Sequence, residues 1–127
     1  MSEKSVAQKL GLKPGKTLFV SHAPAPVGDL LGATPDGARV TETGKGPFPL
    51  ILLFARDHAT MARQLPLCKT KLEPGGALWL AYAKGTSGKA TDINRDSIRD
   101  YIATIGLDTV SQIAIDADWS ALRLKVV

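Results

Sequence analysis

The run "AKGTSGK", residues 83–89, follows an apolar stretch and leads into a helix-like one, the order of parts in a phosphate cradle. A P-loop needs Gly-x-x-x-x-Gly-Lys followed by Ser or Thr. Its glycines let backbone amides wrap the phosphates, its lysine reaches the terminal phosphates, and its hydroxyl holds magnesium. In that register Ala83 stands at the first glycine and Ala90 at the hydroxyl position, with Gly88 and Lys89 in place. The segment also follows the fourth strand-like run and not the first, so nucleoside triphosphate hydrolysis is excluded. A simpler anion cradle survives. The amides of Gly85 to Gly88, the Ser87 hydroxyl and the Lys84 ammonium have the chemistry to hold a carboxylate or phosphate. The plain alternative is a solvated loop entering a helix.

His22 and His58 are the two histidines. His22 directly follows an apolar run, where a general base would stand, but no nucleophile elbow or acid partner accompanies it. His58 reads as a structural or surface residue, and the pair lacks metal-ligand spacing, so no metal is expected. Glu42 closes the second strand-like segment, where an acid commonly meets a ribose hydroxyl. A solvated glutamate is the simpler alternative. A dinucleotide fingerprint belongs after the first strand, yet "HAPAPVG" offers only Gly28 there. Prolines supply no amide donors, so close approach of a pyrophosphate is not expected. Trp119 follows two acids in a turn and either caps the core edge or walls a cleft. Cys68, without a histidine nearby in sequence, reads as an inert half-buried thiol.

These residues need elements to position them, and the apolar pattern supplies the elements. "SEKSVAQKLGL" predicts an opening helix, with Val6 and Leu10 one turn apart and Pro14–Gly15 stopping it. "KTLFVSHA", residues 16–23, is a compact apolar strand, and "VGDLLG" a brief helix ended by Gly32. "ARVTET", residues 38–43, alternates like a more exposed strand. "FPLILLFA", residues 48–55, is apolar without alternation, as expected of a parallel strand covered on both faces. "DHATMARQLPLCKTKL" places Met61, Leu65, Cys68 and Leu72 at helical spacing, with Asp57 as cap and Pro66 predicting a kink or break. "PGG" then turns the chain into the strand "ALWLAYA". "NRDSIRDYIATIG" sets Ile98, Tyr101, Ile102 and Ile105 on one helix face, closed by Gly106. The chain ends as two strands around "ADW", with Leu122, Leu124 and Val126 facing one way and Arg123 and Lys125 the other.

Strand–helix–strand order without long loops predicts one α/β domain over residues 1–127, with helices on both faces of a mainly parallel sheet of about six strands. The closing hairpin makes its last strands antiparallel. Open sheets of this kind bind ligands at the carboxyl ends of their strands, near the point where strand order reverses. That rule gathers His22, Glu42, Arg56, Asp57, Lys84, Ser87, Asp116 and Trp119 along one rim.

Composition narrows the function classes. The 127 residues carry a formal net charge of +4, but the cations are scattered among acids, so nucleic acid is not an expected partner. No apolar run approaches the ~20 residues of a membrane span. The lone cysteine forbids an intrachain disulfide and suits a reducing cytoplasm. The opening residues carry neither an export nor a transit signal.

"LEPGGALWLAYAK" and the closing hairpin resemble a class I S-adenosylmethionine-dependent methyltransferase domain cut short. "LGLKPG", "GPFPLILLFAR", "PGGALWLAYAKGTSG" and "DADWSALRLK" resemble, over nearly the whole chain, a small bacterial domain family with a methyltransferase-like Rossmann core and no established activity. That resemblance implies a cluster of Lys84, Ser87, Gly88, Asp92, Trp119, Ser120 and Arg123 at the rim of the fourth strand and the hairpin. The chain departs from true methyltransferases in lacking the glycine-rich first loop and an amino-group-binding motif after the third strand. One strand–helix unit is also absent between "ARVTET" and "FPLILLF". The expected function is a non-catalytic or regulatory domain that takes a small anionic molecule or a protein partner and no cofactor. The alternatives are an S-adenosylmethionine-dependent methyltransferase with a divergent cofactor loop, and a domain that pairs through its sheet edge or hairpin.

Overall fold

The structure, a computed structural model, describes residues 5–24, 26–83, 93–116 and 118–126. Its centre is the apolar run read above: β3 (Phe48–Ala55) is buried along almost its whole length. On one side β3 pairs in parallel with β1 (Thr17–Ser21), which pairs in parallel with β2 (Arg39–Thr41). On the other side it pairs in parallel with β4 (Leu72–Ala83). The hairpin of β5 (Leu107–Ala114) and β6 (Trp119–Val126) adds antiparallel strands, β6 against β4 and β5 at the edge. The sheet order is β2-β1-β3-β4-β6-β5, the six-stranded, mainly parallel arrangement that the sequence predicts.

Two apolar cores lie on the two faces of this sheet. On one face α1 (Val6–Leu10) and α2 (Val27–Leu31) pack over Leu18, Val20, Leu52, Phe54 and Trp79. On the other, α3 (His58–Lys71) and α4 (Arg95–Ala103) cover Phe19, Ile51, Leu53, Leu80 and Leu122. Each large side chain fully withdrawn from water contributes about 1.5–3 kcal/mol, and both faces of β3 contribute.

Local chemistry sets where the helices begin and end. In α1 the Ser5 hydroxyl accepts from the Gln8 amide while the Gln8 side chain accepts from the Ser5 amide, a reciprocal capping box. The helix ends at Gly11, at φ 95°, and not at Pro14–Gly15 as the sequence predicts. Only glycine adopts that backbone without strain, so the helix stops as soon as one is reached. Asn94 caps α4 through the Ser97 amide, and Asp57 caps α3 through the Thr60 amide.

Pro66 does not break α3, which runs unbroken from His58 to Lys71. A proline lacks the amide that would bond the carbonyl four residues earlier, here that of Ala62. The Tyr101 hydroxyl donates to this carbonyl at 3.1 Å from the neighbouring helix. The tertiary bond replaces the missing helical one.

The link from β2 to β3 is short and carries no helix. Both strands flank β1, so residues 42–47 must cross it. They do so on the α3 side: a Cβ added at Gly46 would meet the Lys71 carbonyl oxygen at 2.6 Å, and one at Gly44 the Phe48 ring at 2.9 Å. Phe19 and Phe48 stack beneath this crossing, with ring centroids 4.8 Å apart. Two glycines and a stacked aromatic pair stand where a helix would otherwise lie.

The "PGG" segment is not a separate turn. It lies within β4, where the pairing register slips between Phe48 and Leu50 of the partner strand. Gly76 has a packing reason, since an added Cβ would lie 3.0 Å from the carbonyl oxygens of Glu73 and Pro49.

Candidate functional site

The registers place the carboxyl ends of the parallel strands together. Phe19 lies beside Thr41, Ser21 beside Leu53, and Ala55 beside Tyr82. His22, Glu42 and Arg56 therefore leave the sheet on one rim. β6 begins on the same rim, since Trp119 pairs with Ala83. The direction of the chain changes at β1, whose neighbours β2 and β3 lie on opposite sides, so the strand-order reversal lies beside His22. The candidates Lys84, Ser87, Gly88 and Asp92 lie outside the described residues; β4, which leads to them, ends on this rim.

His22 is the one non-glycine residue with positive φ among the described residues, at 60°. Histidine tolerates this region better than bulky or branched residues, and non-glycine residues held there mark turns or functional loops. Its Nδ1 lies 2.7 Å from the Ser21 hydroxyl, with donor and acceptor set by the tautomer. His22, Ala23 and Pro24 face Arg56 and Thr60 across a hollow of about 260 Å³.

The electrostatics of this hollow follow from the start of α3. Asp57 accepts from the Thr60 amide at 2.8 Å. Hydrogen bonds from the Thr60 side chain and then its amide hold the Asp57 carboxyl below its ordinary pKa. The helix thus satisfies its own N-terminus with Asp57, and Arg56, next in line, supplies the hollow's positive charge. Thr60 was not singled out in the sequence. Its signal is the Asp57-x-x-Thr60 spacing, which puts the threonine one turn into the helix, beside its cap.

Of three residues expected in the cluster, Trp119 and Ser120 lie at the rim but are buried, and Arg123 lies away from it. Trp119 starts β6 at the rim, but its ring is turned inward, only 5 % exposed, and meets Phe54 edge-on with centroids 5.3 Å apart. The Asp116 carboxylate fixes it there by accepting from the Trp119 amide at 2.9 Å. Ser120, 3 % exposed, is buried in the strand beside it. Arg123 pairs with Trp79, well back along β4. It lines a hollow with Lys13, Lys16 and Glu73 at the amino end of the parallel strands. Strand geometry explains the correction: at about 3.4 Å per residue, four residues carry β6 more than 10 Å from the rim.

Cys68 is buried, and burial pushes its thiol up to about 11 against a smaller opposing effect of Lys71. It is no nucleophile at neutral pH. Among the described residues no group of three His, Cys, Asp or Glu side chains is arranged to hold a metal, and no helix is long and apolar enough to cross a membrane.

No family model and no curated sequence matches the chain. Its fold does match solved structures. The glycopeptide N-methyltransferase MtfA superimposes with a TM-score of 0.62 at 12% identity, over 95% of this chain and 92% of that one. The ribosomal protein L11 methylase of Lactobacillus delbrueckii subsp. bulgaricus gives 0.59 at 10% identity, over 94% and 74%. A methyltransferase of Thiobacillus denitrificans, solved with S-adenosyl-L-homocysteine, gives 0.58 at 9% identity, over 95% and 89%. The fold is therefore Rossmann-like, of the kind these methyltransferases share.

These neighbours give no support to the expectation of no cofactor, since one holds S-adenosyl-L-homocysteine and MtfA has also been solved with sinefungin. The residues present fit such a group only in part. Glu42 stands exposed at the end of β2, where an acid meets ribose hydroxyls. The first loop fits poorly: His22 and Pro24 occupy the turn where glycine admits close backbone approach. The hollow of about 260 Å³ also falls below the roughly 300–1,000 Å³ of pockets that bury drug-sized ligands.

Proposed function

We propose that the domain binds a small anionic molecule at the carboxyl rim, between His22 and Arg56, as a non-catalytic or regulatory module on a methyltransferase-like core. The observation that carries this is the loop after β1. His22 at φ 60° closes onto Ser21, and His22, Ala23 and Pro24 bound a hollow facing Arg56 and Thr60. A cation and a hydroxyl beside a narrow hollow suit a carboxylate or phosphate group better than a whole nucleoside. Titration with malonate and inorganic phosphate, followed by backbone amide resonances, tests it. Saturable shifts at His22, Ala23 and Thr60 that weaken in Arg56→Gln support the proposal; saturable binding that Arg56→Gln leaves unchanged contradicts it.

A second reading is an S-adenosylmethionine-dependent methyltransferase with a divergent loop. Glu42 favours it, standing after the end of β2, on the same rim as the strand-order reversal and one strand from it. Calorimetry with S-adenosylmethionine and S-adenosylhomocysteine separates the two readings. Heat at micromolar ligand that is lost in Glu42→Gln supports the second, and no heat at about 1 mM ends it.

A further inference from the structure

The opposite end of the sheet carries a cationic hollow that the rim does not explain. It measures about 340 Å³, and Lys13, Lys16 and Arg123 line it together with Glu73, Gly11 and Gly75. Two of the cations are placed by one turn. Lys16 N donates to the Lys13 carbonyl at 3.1 Å, with Pro14 second and Gly15, at φ 75°, third in the turn. Proline at the second and glycine at the third position are what a type II turn requires. The two lysines therefore stand at the ends of one turn, with Cα atoms within about 7 Å.

Arg123 arrives from across the sheet. It is paired with Trp79, and cross-strand partners share a face. The Trp79 indole donates to the Leu10 carbonyl at 3.0 Å, so this face is the one carrying α1. The end of α1 would oppose an anion if its carbonyls were bare. Three of them are occupied: Gly11 N takes the Gln8 oxygen, Leu12 N the Ala7 oxygen, and Trp79 the Leu10 oxygen.

The Lys13, Lys16 and Arg123 side chains are exposed at this end of the sheet. Three such cations against the single carboxylate of Glu73 leave the hollow positive. A neighbouring hollow shares Arg123, Glu73 and Gly75 and adds Lys69, Lys125, Val110 and Val126, giving room for a further portion of a ligand. Among the described residues no aromatic side chain lines either hollow, so they offer stacked bases no platform. The size lies at the low end of small-molecule pockets.

We propose that this amino-end hollow is a second binding site, for a small molecule bearing a phosphate or diphosphate, with Lys13, Lys16 and Arg123 as its charge partners. Arginine and lysine together suit that group, the guanidinium by paired hydrogen bonds and the ammonium as a point charge.

The test is an amide-resolved titration of the full chain with inorganic pyrophosphate. Saturable shifts are expected at Gly11, Gly75 and Gly76, with an affinity independent of any shifts at His22 and Thr60. Arg123→Gln and Lys16→Gln should each weaken binding about tenfold, Arg123→Lys should restore part of it, and His22→Ala should leave it unchanged. Thermal melting of every variant should match the parent, because these side chains are exposed. Absence of saturable shifts, or equal affinity in the Arg123→Gln, Lys16→Gln double variant, overturns the proposal. So does an oligonucleotide of about 12 residues that binds more tightly than pyrophosphate, with a salt dependence growing with its length, since that defines a nucleic-acid surface. Rim binding registers on different amides, so either site can fail alone.

Discussion

The Tyr101 hydroxyl donates to the carbonyl of Ala62 at 3.1 Å, across 39 residues of sequence. Pro66 has no amide to offer that carbonyl. The bond ties α4 to α3 and lets α3 pass its proline unbroken. Tyr101→Phe should lower stability by about 1–2 kcal/mol, the cost of leaving a partly buried acceptor unpaired. In a Pro66→Ala background, where an amide returns, the same change should cost distinctly less. Denaturant melts of the four proteins measure the coupling, and equal costs in both backgrounds would refute the exchange of partners.

Trp119 and Arg123 share a strand and a face but not a role. Trp119→Ala should cost about 3–5 kcal/mol, as for other large-to-small changes in a core, because its ring lies against Phe54. Arg123→Ala should leave the unfolding free energy from urea melts within about 0.5 kcal/mol of the parent, as for exposed positions. A neutral Trp119→Ala would show that the ring does not serve the core.

Burial raises the Cys68 thiol to about 11, so the folded protein should resist iodoacetamide at about pH 8 and react only on unfolding. Mass spectrometry with and without urea reads this directly. Rapid modification of the folded chain would show that the thiol is exposed.

Hydrogen bonds from Thr60 lower the Asp57 pKa. The sign follows from linkage: this contribution is complete above the unfolded carboxylate value of 3.8 and disappears as pH falls through the lower folded value. Melting temperature should decline over that acid range in the parent, with a shallower decline in Asp57→Asn. Parallel declines would remove Asp57 from the acid response.

Much of the fold was legible because the pattern is redundant. β3 lies where "FPLILLFA" predicts, since continuous burial leaves one assignment. α4 likewise follows from Ile98 and Ile102 at one face. What could not be read depends on partners distant in sequence. No local signal at Pro66 reveals Tyr101, and none at Trp119 tells that Phe54 waits beneath its ring. The family resemblance grouped Arg123 with Trp119, yet extension along a strand separates them. The crossing at residues 42–47 was visible only as a missing unit, while its glycines show how the chain closes without one. His22 was singled out for its position, and its positive φ appears only in the fold.

The most direct test of the rim as the binding site is the malonate titration of ¹⁵N-labelled protein to about 10 mM, deep enough for millimolar affinity. Saturable shifts concentrated at His22, Ala23, Arg56 and Thr60 are the predicted result. Shifts confined to the amino end, or none that saturate, would contradict a site at the carboxyl ends of β1 and β3.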